Sequence, residues 1–334
     1  MRRIAIVGGG AWGTALAVHA GRLGYAVRLW VREADLAQRM RDGRENPVFL
    51  PGIELPDSVL PTAGLDEAVE GAELIVGAVP AQFARGVYSK LDTVEPRTPM
   101  VLAAKGIEER TLALPVAAAR DCLGSERGYA VISGPSFAAE VARGLPTALV
   151  VASENEALGR ALQEGLSGGH LRLYTNSDVV GVQIAGALKN VIAIAAGMLD
   201  GLGLGHNTLA AIVTRGLAEI TRLGLALGGR RSTFSGLAGL GDLIVTCTGG
   251  LSRNRSLGQA MARGDTLAAV VGRSASIAEG VGTTRSAKEL AARVGVEMPI
   301  VEEMYRILYE DSSPREAWGR LMSRPLTSED EGPR

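Results

Sequence analysis

The chain has 334 residues, 46% hydrophobic and 21% charged, the composition of a globular enzyme with room for two cores. Its 35 Lys and Arg against 36 Asp and Glu give a formal net charge of −1, which excludes a global field attracting nucleic acid or an anionic membrane. An anionic ligand must therefore be caught by a local pocket.

Residues 3–7 read as a strand, and 11–23 as a helix closed by Gly24. Segments 26–31, 74–79, 100–104 and 129–133 read as further strands, with a helix near 112–122. Short β-rich runs alternating with helical patterns predict a parallel, doubly wound α/β sheet. Segments 147–152 and 171–174 extend it, in an antiparallel sense. From about Asp178 strand patterns stop. Long Ala/Leu/Ile/Gly segments at 179–199, 207–227, 234–247, 284–294 and 299–309 take over. The predicted organisation is a Rossmann-type domain over 1–178, an all-helical domain over 179–326 and a polar tail over 327–334. Residues 181–199 approach transmembrane length, but Gln183, Lys189 and Asn190 within them favour a helix buried inside a globular domain.

Gly8-x-Gly10-x-x-Gly13 follows the first strand and opens the first helix. The first glycine permits the tight turn, the second lets backbone approach a pyrophosphate, and the third lets helix and strand pack closely. The strand–turn–helix context converts a weak pattern into a dinucleotide site. Cofactor choice is read at the end of the second strand, where an acidic residue would accept from a ribose 2′-hydroxyl. Here the chain reads Leu29-Trp30-Val31-Arg32-Glu33. Arg32 suits the 2′-phosphate of NADP and favours NADPH; the adjacent Glu33 leaves NAD open.

Ligands of open α/β sheets bind beyond the carboxyl ends of the strands. Lys105 stands there, as a cofactor or substrate contact or as an exposed loop lysine. Ser136, in the turn Gly134-Pro135-Ser136-Phe137, either faces the ligand or caps the helix beginning near Phe137. Lys189 is more informative. A lysine inside an apolar helix is costly unless paired or neutralised, and burial lowers its pKa toward that of a useful acid/base. The alternative is a lysine that snorkels to water.

Asp242, a lone carboxylate in an apolar stretch, is a candidate partner for Lys189, and Thr246 lies one helical turn beyond it. Ser252-Arg253-Asn254-Arg255 offers guanidinium, amide and hydroxyl donors suited to a phosphate, or else forms a charged surface loop. Arg215, in an apolar helix, is either a substrate contact or the ion-pair partner of Glu219. His19, His170 and His206 are scattered, and no metal-ligand spacing is present, so no metal is expected. Cys122 and Cys247 lack disulfide-like context, which predicts free thiols in a reducing compartment. The strand pattern at the first residues leaves no room for a secretory signal, and a cytoplasmic protein is expected.

Together these segments resemble the bacterial-type NAD(P)-dependent sn-glycerol-3-phosphate dehydrogenases over nearly the whole chain. The resemblance is carried by GGGAWGTALA at 8–17, AAKGIE at 103–108 and ISGPSFAAE at 132–140. It continues through GVQIAGALKNVIAIAAGMLDGLG at 181–203, TRGLAEI at 214–220, GLAGLGDLIVTCTGGLSRNR at 236–255 and AEG at 278–280. It implies interconversion of sn-glycerol 3-phosphate and dihydroxyacetone phosphate, feeding glycerophospholipid synthesis.

For the chemistry the resemblance implies Lys189 as proton donor and acceptor, with Lys105 and Asp242 around the substrate. Ser252, Arg253 and Asn254 would hold its phosphate end, with Gly134, Ser136 and Thr246 nearby. Cofactor contacts would come from Gly8, Gly10, Ala11, Trp12, Gly13, Arg32, Lys105, Ala138, Arg253, Ile277 and Glu279. It further implies a homodimer. Two rivals stand beside this reading. A 3-hydroxyacid dehydrogenase would not need the Ser252-Arg253-Asn254 cluster, and a non-catalytic nucleotide sensor would leave Lys189 and Asp242 without purpose.

Overall fold

Ile4, Ala5, Ile6 and Val7 are all buried, on both faces of their strand, as a parallel sheet covered by helices on each side requires. The computed structural model describes residues 1–91, 93–273, 278–326 and 328–329. It begins with β1 (Arg3–Val7), α1 (Ala11–Arg22), β2 (Ala26–Trp30) and α2 (Ala34–Gly43). A short hairpin of β3 (Glu45–Asn46) and β4 (Leu50–Glu54) precedes β5 (Val59–Thr62) and α3 (Leu65–Val69). Next come β6 (Leu74–Gly77), α4 (Ala81–Tyr88), β7 (Met100–Leu102), α5 (Pro115–Leu123) and β8 (Tyr129–Ser133). Then follow α6 (Ala138–Arg143), β9 (Thr147–Ala152), α7 (Glu156–Leu166) and β10 (Leu171–Asn176).

The main sheet runs β10-β9-β8-β7-β6-β1-β2-β5. Every neighbouring pair is parallel except β8 with β9, so the antiparallel extension consists of one reversal, after which β10 runs parallel to β9. The chain leaves β1 toward β2 on one side and returns to β6 on the other. A crevice opens at such a switch point, beyond the carboxyl ends of the strands. The hairpin of β3 and β4 pairs only with itself, apart from this sheet. A two-residue strand has no periodicity to read, which is why the sequence did not reveal it.

From α8 (Val179–Gly201) onward the described residues contain no strand. Every residue from Gly181 to Leu199 is buried, so α8 is the axle around which the other helices pack. These are α9 (Gly205–Ala226), α10 (Arg231–Phe234), α11 (Asp242–Thr248), α12 (Arg253–Ala262), α13 (Leu267–Gly272), α14 (Gly280–Arg293), α15 (Pro299–Tyr309) and α16 (Pro314–Met322). Among the described residues α8 is the one unbroken helix long and apolar enough to cross a membrane, and 94% of its most apolar stretch is buried inside the protein. At its crossing with α12 the backbones touch: a Cβ on Gly197 would lie 2.0 Å from the Arg255 carbonyl oxygen, and one on Gly258 2.1 Å from that of Ile194. Only glycine fits either position.

Two expectations change. Segment 234–247 is not one helix: α10 ends at Phe234, and a π-helical turn, Leu237–Gly241, delivers the chain to α11. The glycine-rich run relaxes the i→i−4 ladder there. Arg215 is exposed and makes no pair with Glu219. Glu219 is buried, and its carboxylate accepts from the backbone N–H groups of Ile300 (2.7 Å) and Val301 (3.3 Å) at the start of α15. Burial pushes its carboxyl up to about 7, against those two donors.

Asp178 ties the start of α8 to α10. One carboxylate oxygen caps α8 by accepting from Gly181 N (2.8 Å); the other accepts from Arg230 N (2.7 Å) and the Thr233 hydroxyl (2.6 Å). Asp178→Ala uncaps α8 and leaves the Arg230 N–H and Thr233 hydroxyl without their partner. The expected loss is about 2 kcal/mol or more of unfolding free energy, read from the urea midpoint at unchanged m-value.

Candidate active site

The turn after β1 is folded on itself. Gly8 has φ +126°, and a Cβ there would meet the Ala78 carbonyl group at 2.7 Å; a Cβ on Gly13 would lie 1.9 Å from the Gly8 carbonyl oxygen. Gly10 differs: a Cβ there would meet nothing within 4 Å, so the space above it is open. Gly10 is also the N-cap of α1 and gives no side-chain cap, which leaves the first N–H groups of that helix facing the opening. Trp12 borders the same opening, and its indole Nε1, a donor, is buried without a partner. A glycine turn, an uncapped helix N-terminus and an orphaned donor fit a dinucleotide pyrophosphate.

Beyond the turn lies a cleft of about 280 Å³. Ala11, Trp12, Lys105, Ser136, Ala138, Lys189, Thr246, Ser252, Arg253, Asn254 and Glu279 all line it, so residues far apart in the chain meet there. Asp242 stands behind them with no exposed surface. The π-helical turn sets Asp242 at the first position of α11, facing α8. One of its oxygens accepts from Lys105 Nζ at 2.6 Å, and the other from Lys189 Nζ. Lys189 Nζ also donates to the Thr246 hydroxyl at 2.9 Å, and that hydroxyl donates to the Asp242 carbonyl at 2.6 Å. Lys105 Nζ donates in addition to the Gly134 carbonyl at 3.1 Å.

The carboxylate therefore serves two lysines. Burial brings the Lys189 ammonium down to about 8; the charge of Asp242 opposes this and that of Lys105 adds to it. Burial likewise holds the Glu279 carboxyl, also in the lining, above the usual range, against the charges of Arg253, Lys105 and Lys189.

At the far side α12 points its N-terminus into the cleft. Ser252 caps it, accepting from Arg255 N at 3.2 Å, and keeps its hydroxyl proton free to donate. Arg253 is exposed and forms no salt bridge among the described residues. Asn254 uses its Oδ1 to accept from Gly280 N (3.1 Å) and one Nδ2 hydrogen on Asn190 Oδ1 (3.0 Å), leaving the second hydrogen available.

Ser136 does not cap α6; Phe137 is the N-cap, and the Ser136 hydroxyl donates to the Gly134 carbonyl at 3.0 Å. Arg32, two residues past β2, is largely exposed and donates through Nε to Glu33 at 2.8 Å. Ile277, predicted as a cofactor contact, lies outside the described residues, as does most of the 327–334 tail. Among the described residues no group of His, Cys, Asp or Glu has the arrangement of a metal site, and both cysteines are free thiols.

The cleft also recruits residues that sequence reading had not placed there. Asn190 lines it next to Lys189 and carried the same signal, a polar residue inside an apolar helix. Phe49, Leu50, Phe137 and Leu251 supply an apolar wall and had no such signal.

Comparison with known proteins gives matches over nearly the whole chain. Residues 3–159 match the family model described as NAD-dependent glycerol-3-phosphate dehydrogenase N-terminus, and 178–319 the corresponding C-terminus. A glycerol-3-phosphate dehydrogenase [NAD(P)+] of Geobacter sulfurreducens is 50% identical over 330 residues, 98% of each chain. The crystal structure of the Coxiella burnetii glycerol-3-phosphate dehydrogenase superposes with a TM-score of 0.94 at 38% identity, covering 97% of this chain and 99% of that one. The Saccharomyces cerevisiae glycerol-3-phosphate dehydrogenase gives a TM-score of 0.81 at 28% identity, with 97% and 99% covered. An uncapped glycine turn at the sheet's switch point and a lysine–carboxylate–lysine cluster beneath a cation-rimmed cleft thus stand within a chain that belongs to the NAD-dependent glycerol-3-phosphate dehydrogenase family.

Proposed function

We propose that Lys189 is the proton donor and acceptor in the NAD(P)-dependent interconversion of sn-glycerol 3-phosphate and dihydroxyacetone phosphate. One observation carries the assignment. A lysine ammonium has three donors, and the bonds to Asp242 and Thr246 use two, so the third is free for a substrate oxygen in the cleft. Bound NAD(P)(H) supplies the hydride acceptor or donor. The glycine turn at Gly8, Gly10 and Gly13, the α1 N-terminus, Ala11, Trp12, Ala138 and Glu279 would hold it.

In the reductive direction the protonated Lys189 gives its free proton to the developing alkoxide at C2. In the oxidative direction the neutral amine removes the C2 hydroxyl proton. Asp242 orients Lys189 and holds Lys105 beside it, so that Lys105 presents a second charge to the same oxygen. The phosphate belongs at the N-terminus of α12, where Arg253, the free Asn254 N–H and the Ser252 hydroxyl converge with the helix dipole. A phosphate-free substrate would leave that Arg253 unpaired.

On this reading residues 1–178 bind the cofactor and 179–326 the substrate, in a cytoplasmic homodimer that provides glycerol 3-phosphate for phospholipids. The family resemblance supports the last two points. Arg32 would exchange its Glu33 partner for the 2′-phosphate, making NADPH the preferred cofactor.

Lys189→Ala should lower kcat by at least about a hundredfold at unchanged NADPH affinity. Near-normal turnover in a folded variant would falsify the assignment. The wild-type kcat for oxidation should rise with pH through the Lys189 titration near 8, because the neutral amine is the base, whereas reduction should fall over the same window. Profiles in which both directions move together would contradict it. Arg32→Ala should weaken NADPH binding about tenfold and leave NADH nearly unchanged, compared by direct titration of each nucleotide; equal effects on both would remove Arg32 from cofactor choice.

A further inference from the structure

Asn46 has no exposed surface, and all its hydrogen-bonding capacity is in use. Its Nδ2 donates to the Gly9 carbonyl at 2.9 Å and to the Thr14 hydroxyl at 2.8 Å. Its Oδ1 accepts from the backbone N–H groups of Phe49 at 3.0 Å and Val48 at 3.3 Å. A single amide thus joins the middle of the glycine turn and the first turn of α1 to the hairpin of β3 and β4. That hairpin carries Phe49 and Leu50, which line the cleft beside Trp12.

The hairpin needs such an anchor. It forms its own two-stranded sheet with no ladder to the main one, and an isolated hairpin is marginal in water. Leu50 is buried, but Phe49 is only partly so, held by packing against the sheet core. Removing the amide would strand two hairpin N–H groups in a water-poor place and leave the Gly9 carbonyl only the 3.4 Å bond from the Thr14 hydroxyl.

We propose that Asn46 is a positioning residue: it locks the cleft wall of Phe49 and Leu50 to the glycine turn, so that the wall closes on a nucleotide held by that turn. This rests on the assignment of the glycine turn as the cofactor site. The wall's work is to exclude water from the reacting end, where the charges of Lys105, Lys189 and Asp242 are strengthened by a dry surrounding. Asn46 touches neither reacting atoms nor nucleotide; it acts through Phe49.

The test uses the full chain without substrate and reads NADPH affinity and the blue-shifted nicotinamide emission of the bound nucleotide. Asn46→Ala, Asn46→Asp and Phe49→Ala should each weaken NADPH about tenfold and diminish the bound-state emission. Asp keeps the two accepted bonds but loses both donated ones, and so should behave like Ala. The double variant Asn46→Ala/Phe49→Ala should be no weaker than the worse single variant, because one residue works through the other. If Asn46→Ala does not fold, Thr14→Val, which removes one of its acceptors at constant shape, should show a smaller loss of the same kind and the same non-additivity with Phe49→Ala. Affinity within about twofold of the parent in a folded Asn46 or Thr14 variant, or additive losses in the double variant, would overturn the proposal. A parent that binds NADPH but fails to turn over dihydroxyacetone phosphate would count against the reaction and leave this comparison intact. A parent that binds neither nucleotide would overturn both.

Discussion

Asp242 is held between ammonium groups from opposite halves of the chain. Lys105 comes off the carboxyl end of β7 in the sheet, and Lys189 comes from the middle of the buried axle α8. A carboxylate with no exposed surface is tolerable only when paired and hydrogen-bonded, and removing one partner of such a group typically costs about 3–5 kcal/mol. The contact is therefore both a clasp between the sheet and the helices and the means by which the sheet end and the axle share one site. Two lysines against one carboxylate also leave the cluster with an excess of positive charge, which suits an anionic substrate.

Glycines recur in what brings Asp242 to this point. The π-helical turn ahead of α11 is Leu-Ala-Gly-Leu-Gly, and the α8–α12 crossing is closed by Gly197 and Gly258 with their backbones in contact. Close packing fixes the N-terminus of α12, and with it Ser252, Arg253 and Asn254, at the far side of the same cleft. The stability and the chemistry share these constraints: the axle is buried because it is apolar, and Lys189 is perturbed because the axle is buried.

Two unlike kinds of residue line the cleft. One is charged, from Lys105, Lys189, Arg253 and Glu279; the other is apolar, from Trp12, Phe49, Leu50, Phe137 and Leu251. Apolar lining raises the strength of neighbouring charges by keeping water out. The two kinds are mounted differently, the charged residues on the sheet end and the helices, the apolar ones partly on a hairpin outside the sheet whose polar anchor is Asn46.

Much of this was legible along the chain, because local rules apply locally. The glycine turn announced itself by spacing between a strand and a helix, and the strands of the sheet by short β-rich runs. Lys189 stood out because a charge inside an apolar segment needs a reason. The donors at 252–254 did so by clustering. What the linear order could not decide was pairing across distance. Asp242 was legible as a partner for Lys189 but not as the shared partner of Lys105, because the two lysines are 84 residues apart (189 − 105) and meet only when β7 and α8 pack. The break of 234–247 into a helix, a π turn and a second helix was hidden by a mostly apolar, glycine-rich composition. Arg215 and Glu219 had the spacing of an ion pair, yet α9 turns Arg215 to the exterior and gives Glu219 to the start of α15. Sequence by itself determined which residues had to be turned, buried or charged, since backbone sterics and desolvation act on each residue where it stands. Only the tertiary structure decided which of them touch, since packing alone sets distances between segments far apart in the chain.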